Sequence, residues 1–110
     1  MLRLSLTSAG FDVVAVSTGK DALRSMESES PDAIILDLGL PDNLGAVVLS
    51  RLKQHSLAEG SSAWVVISAL DRQEVVSRYG PIGGHFMAKP FNPWDLVALI
   101  ESLLAERQSV

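Results

Sequence analysis

Two short, unbroken apolar runs constrain this chain more than any other feature: Ala33–Leu36 (A-I-I-L) and Ala63–Ile67 (A-W-V-V-I). Neither alternates with polar residues, so neither suits a strand with one wet face. Short continuous runs of this kind fit strands of a parallel sheet that helices cover on both sides. The first run is opened by Pro31-Asp32 and ends in a single carboxylate, Asp37. A turn then carries Gly39, Pro41, Asp42, Asn43 and Gly45. The second run is closed by Ser68 as Asp37 closes the first. Open α/β sheets place their chemistry at the C-terminal ends of strands, so both residues are candidates for it.

The rest of the chain alternates around these runs. Met1–Ala9 reads as the last turns of a helix, stopped by Gly10, with no capping residue before it. Phe11–Val16 is a strand candidate broken only by Asp12. Thr18 with Asp21 resembles a capping box ahead of Ala22, Leu23 and Met26, which share one helical face. Val48, Leu49 and Leu52 form the apolar side of a third helix, with His55 in its last turn. Ser56–Ser62 reads as a loop. Asp71 with Glu74 forms another capping box before a short helix, Arg72–Tyr79, ended by Gly80-Pro81. His85–Ala88 is a short final strand, and Lys89-Pro90 follows it directly. Asn92 caps the last helix with Pro93 at its first position, and Phe91 and Leu96 suit a hydrophobic staple. Leu96, Leu99, Ile100, Leu103 and Leu104 supply its buried face. The order is a helix fragment, then strand and helix alternating four times: an α/β sheet with right-handed crossovers and four expected strands.

Composition excludes several functions. At 110 residues the chain is one domain, 1–110, able to bury roughly two-thirds of its unfolded surface. Its net charge of −4 comes from scattered acids and bases. With no basic cluster, neither direct nucleic-acid binding nor a polybasic membrane contact is expected. There are no cysteines, hence no disulfides and no thiolate metal sites. No apolar run approaches ~20 residues and no signal peptide is evident, so a cytoplasmic protein is expected.

Asp37, Ser68 and Lys89 each stand at the C-terminal end of an expected parallel strand. Each has an ordinary explanation: a loop acid, a turn serine, a lysine before a proline. Parallel strands bring those ends to one rim, however, so the three can converge. With D-L-G-L-P-D-N-L-G from Asp37, V-I-S-A at Val66–Ala69 and H-F-M-A-K-P-F at His85–Phe91, the chain resembles a receiver domain of two-component response regulators, the CheY-like family. The resemblance spans nearly the whole chain and implies a flavodoxin-like parallel sheet with helices on both faces.

It also implies roles. Asp37 would be the phosphoacceptor, attacking a phosphoryl group in line to form an acyl phosphate. Lys89 would offset the accumulating negative charge. Ser68 would hydrogen-bond a phosphoryl oxygen and move inward, and Phe86 would be the switch aromatic that follows it. The Lys89-Pro90 bond is expected to be cis, which proline tolerates. Gly39 would offer its carbonyl to a magnesium ion beside Asp37. Gly39 and Leu70 match positions whose polar side chains orient the hydrolytic water. Neither has one here, so an acyl phosphate is expected to be long-lived.

The match breaks at the start. Family members open with a central apolar strand ending in an acidic pair, and this sequence shows neither. Asp37 is then the only carboxylate ligand among the matched positions, which puts magnesium binding and phosphorylation in question. Asp42 and Asp71 read as turn and cap residues. The absent strand would carry about five apolar side chains, roughly 10 kcal/mol of burial, comparable with a domain's whole stability. Compensation could come from Phe11–Val16 moving beside Ala33–Leu36, from a homodimer, or from a strand of another chain. The dullest account is that the natural protein starts upstream of Met1.

The function expected is thus that of a phosphoacceptor switch. It would receive its phosphoryl group from a histidine kinase or phosphotransfer protein and signal to a downstream effector through Arg72–Tyr79, His85–Ala88 and the last helix. The alternative is a degenerate receiver that binds partners without phosphorylation. An enzyme is not expected: a haloacid dehalogenase-type phosphatase would want an acid where Gly39 stands, and His55 and His85 are isolated.

Overall fold

The computed structural model describes residues 2–28, 31–39, 44–55, 63–82 and 84–108. Among the described residues five helices and three strands follow in the order α1 (Leu2–Ser8), α2 (Gly19–Ser28), β1 (Ala33–Asp37), α3 (Gly45–His55), β2 (Ala63–Ser68), α4 (Arg72–Tyr79), β3 (His85–Ala88) and α5 (Pro93–Gln108). The strands form one parallel sheet in the order β1-β2-β3. Ala33 lies opposite Ala63 and Asp37 opposite Ile67, while Val65 lies opposite His85 and Ser68 opposite Ala88.

Side chains alternate across the sheet with a period of two, and each face has its own core. Leu36, Trp64 and Val66 pack with Val48, Leu49 and Leu52 of α3 and Val75 of α4; Ala22, Leu23 and Met26 of α2 lie against them. On the opposite face Val65 and Ile67 pack with Leu96, Ile100 and Leu103 of α5, and Leu2 and Phe11 close over this cluster. The continuous apolar runs are explained by this sandwich, for β2 meets helices on both sides. Val65 and Val66 are wholly buried.

Local chemistry sets the helix ends. The Thr18 hydroxyl accepts from the Asp21 N–H at 3.1 Å, the Asp71 carboxylate from Glu74 at 2.9 Å and the Asn92 side chain from Trp94 at 2.9 Å. Gly10, just beyond α1, has φ +97°, a conformation that costs a side-chain-bearing residue energy. No helix among the described residues is long and apolar enough to cross a membrane.

One expectation of the sequence is corrected. The sheet has three strands among the described residues, and Phe11–Val16 is not a fourth. An apolar run broken only by Asp12 predicted a strand there, but a strand exists only where a neighbour supplies backbone partners. This segment links α1, on the α5 side of the sheet, to α2, on the α3 side. Val14 and Val16 remain 65% and 43% exposed along it. β1 consequently keeps one edge without a paired strand among the described residues. The loop expected at Ser56–Ser62 lies outside the described residues.

Candidate functional site

The rim of the sheet is built by its own hydrogen-bond ladder running one step past the strand tips. Leu38 N–H donates to the Ile67 carbonyl at 3.1 Å, and Lys89 N–H donates to the Ser68 carbonyl at 2.8 Å. These bonds fix the residues after β1 and β3 to the end of β2. Asp37, Ser68 and Lys89 are therefore held along one edge by backbone alone.

Asp37 and Lys89 meet directly, the Lys89 ammonium donating to Asp37 Oδ2 at 2.5 Å. The second carboxylate oxygen, Oδ1, accepts from the Gly39 N–H at 2.9 Å. A charge-assisted bond on one oxygen and a backbone amide on the other orient the carboxylate. Both partners remain about two-fifths exposed, 40% for Lys89 and 38% for Asp37, so the site opens to water. A Cβ placed on Gly39 would sit 3.4 Å from Asp37 Oδ1, an ordinary contact. The Lys89-Pro90 bond is cis, as expected.

Ser68 is only 4% exposed, and its hydroxyl does not join that pair. It accepts from the N–H of Leu70 at 3.0 Å, closing a small turn after β2. This bond uses a lone pair of the oxygen and leaves the hydroxyl proton to be donated elsewhere. Phe86 is partly buried and packs against the core that contains Val66, with Leu70 against the same cluster. Ser68 and Phe86 are thus neighbours along adjacent strands, Val66 being Phe86's register partner. His85 is exposed and stands in no metal-binding cluster among the described residues. Asp42 lies outside the described residues, and Asp71 is committed as a helix cap.

Three features, two at the rim and one at the opposite end of the sheet, were invisible in the sequence. Leu70 stood out only for lacking a polar side chain, yet its backbone amide holds the Ser68 hydroxyl. Gly45 admits the start of α3 against the Leu38 carbonyl, where a Cβ would come within 2.8 Å. Gly84 lies under the buried Trp64 ring, with three ring atoms 2.8–3.0 Å from where a Cβ would be. A glycine before a strand carries no mark of which ring it faces.

Known proteins resemble this chain in sequence and in fold. The family model described as "Response regulator receiver domain" matches residues 1–101. The transcriptional regulatory protein KdpE of Mycobacterium tuberculosis is 35% identical over 102 residues, covering 92% of this chain and 43% of KdpE. The chain thus spans less than half the length of that relative. A CheY-like response regulator receiver domain protein from Methanospirillum hungatei superposes with a TM-score of 0.80 at 26% identity, covering 97% of this chain and 84% of the other. The receiver domain of a sensor histidine kinase from Pseudomonas aeruginosa, solved with magnesium coordinated in its active-site cleft, superposes with a TM-score of 0.79. It is 24% identical, and the match covers 94% of this chain and 85% of that one. On sequence and on fold, the chain belongs to the response regulator receiver domain family.

Proposed function

We propose that Asp37 accepts a phosphoryl group from a histidine kinase or phosphotransfer protein, and that the acyl phosphate alters the binding of a downstream effector. The observation that carries this reading is the Asp37–Lys89 contact at the sheet rim, beside the buried Ser68 hydroxyl. In the transfer, a carboxylate oxygen of Asp37 forms the new bond to phosphorus as the bond to the donor's leaving group breaks in line. Negative charge then gathers on the phosphoryl oxygens, and the Lys89 ammonium is placed to offset it. Ser68 would exchange its bond from Leu70 for donation of its own proton to a phosphoryl oxygen. Phe86 would follow into the space released, changing the surface formed by α4, β3 and α5. The chain acts on this reading as a signalling domain rather than an enzyme with turnover.

Magnesium is the ion this family implies. Its preferred shell is six oxygens in octahedral array, with one or two carboxylates among them. Among the described residues Asp37 is the carboxylate that ends β1, and no group of three or more His, Cys, Asp or Glu side chains there could hold a metal. An ion bound here would rest on Asp37, with water filling most of its shell. No step above is routed through the ion.

Phosphoramidate, a small phosphoryl donor, tests the reading: its P–N bond breaks and ammonia leaves as the Asp37 O–P bond forms. Intact-mass measurement should show one added phosphoryl group, lost in Asp37→Asn. A chain that stays unlabelled, or that labels equally in Asp37→Asn, would overturn it.

A further inference from the structure

We propose that this chain forms a two-fold dimer in which residues 11–16 of each copy pair, antiparallel, with the free edge of β1 in the other. The contact is independent of the chemistry at Asp37. β1 is the less covered strand: five of the six residues of β2 are buried, but of the five in β1 only Leu36 is. An apolar run of the same kind is left half covered, and its outer edge carries no strand among the described residues. Such an edge is a template for another strand. Residues 11–16, F-D-V-V-A-V, have the composition of that strand, for valine favours a pleated, packed surface. Phe11 and Val13 are partly buried, while Val14 and Val16 are 65% and 43% exposed. Apolar residues on both faces suit a strand covered on both, and here one face meets water. The Phe11 amide donates to the Leu6 carbonyl at 3.1 Å, but residues 12–16 make no hydrogen bond to another described residue.

One chain therefore carries two strand-forming stretches that its own fold leaves unpaired with each other. A second copy supplies both at once. Each copy gives what the other lacks, so the contact is self-complementary and closes at two chains. Faces and charges set the register. Ile34 packs on the α3 face, whereas Ala33 and Ile35 pack on the α5 face with Phe11. Keeping Phe11 and Val13 on the α5 face puts Val14 and Val16 on the α3 face, because neighbours along a strand alternate. Antiparallel alignment of Val14 with Ile34 satisfies this, and sets Asp12 opposite Leu36 and Val16 opposite Asp32. Parallel alignment of the same two residues would oppose Asp12 to Asp32, a like-charge pair that destabilises a sheet. Two short edge contacts make a small interface, so the dimer is reversible and depends on concentration.

The chain has no cysteine, so introduced thiols report this contact alone. Val14→Cys and Ile34→Cys chains, mixed and mildly oxidised, should join in a mixed disulfide, because residues directly opposite bring their Cβ atoms within bridging range. Leu4→Cys, at a position 66% exposed on α1, should not join to Ile34→Cys beyond random collision. Sedimentation equilibrium of the cysteine-free chain should show monomer and dimer in exchange. Val14→Lys places a charge on the pairing edge and should raise the dissociation constant by about tenfold or more. Val14 is exposed, so this variant should keep the far-ultraviolet circular dichroism and urea midpoint of the dilute parent chain. A chain monomeric at about 1 mM, a dimer that Val14→Lys leaves intact, or equal crosslinking from Leu4→Cys would overturn the proposal.

Discussion

Asp37 and Lys89 are too wet for their contact to be explained by stability. An exposed ion pair contributes only ~0.2–1 kcal/mol, and less in salt. Lys89→Ala should therefore lower urea-unfolding stability by no more than about 1 kcal/mol while sharply reducing phosphoramidate labelling. Ser68 differs, because it is buried and its oxygen satisfies an amide. Ser68→Ala should cost about 0.5–1.5 kcal/mol on denaturant unfolding, with Ser68→Thr recovering part of it through the retained hydroxyl. The positions of Asp37, Ser68 and Lys89 could be read from sequence because each directly ends an apolar run. The hydroxyl's engagement with Leu70 could not, since every residue type except proline carries the same backbone donor. The Gly84–Trp64 approach was hidden for a related reason. It depends on which strands become neighbours, and no local pattern encodes that.

Helices were legible almost to the residue where a polar side chain stops the backbone from continuing unsatisfied. Arg72–Tyr79 runs as the sequence implied, from the Asp71 cap to Gly80. Asp71→Ala should lower stability by about 1 kcal/mol in denaturant, the usual worth of an N-cap. Phe11–Val16 failed as a strand because pairing is a property of two segments, while an apolar run is a property of one. Tight approaches between elements give the strongest structural prediction. Gly45→Ala and Gly84→Ala should each destabilise by about 1–3 kcal/mol, because the added carbon meets a backbone carbonyl in one case and a buried indole in the other. Gly84→Ala should also shift the emission of Trp64, and an unchanged spectrum with unchanged stability would contradict the packing described.

At the scale of the molecule, two cores share one thin sheet, and their seam is unequal. β2 is covered on both faces and flanked on both edges, whereas β1 meets a strand on one edge only among the described residues. Hydrogen exchange should follow this: amides of β2 should be protected for far longer than those of β1 that point away from it. An unpaired edge also invites association. Sedimentation velocity should show mass increasing with concentration, and a strictly monomeric chain at all concentrations would mean that Phe11–Val16 shields the edge better than its exposure suggests. The layered plan was legible because strand and helix alternated, but the width of the sheet was not, being decided by which partners exist. Lys89, finally, is fastened at two points, its amide hanging from the Ser68 carbonyl and its ammonium gripping Asp37. It works as a tie rod, one side chain joining the acid at the end of β1 to the end of the middle strand.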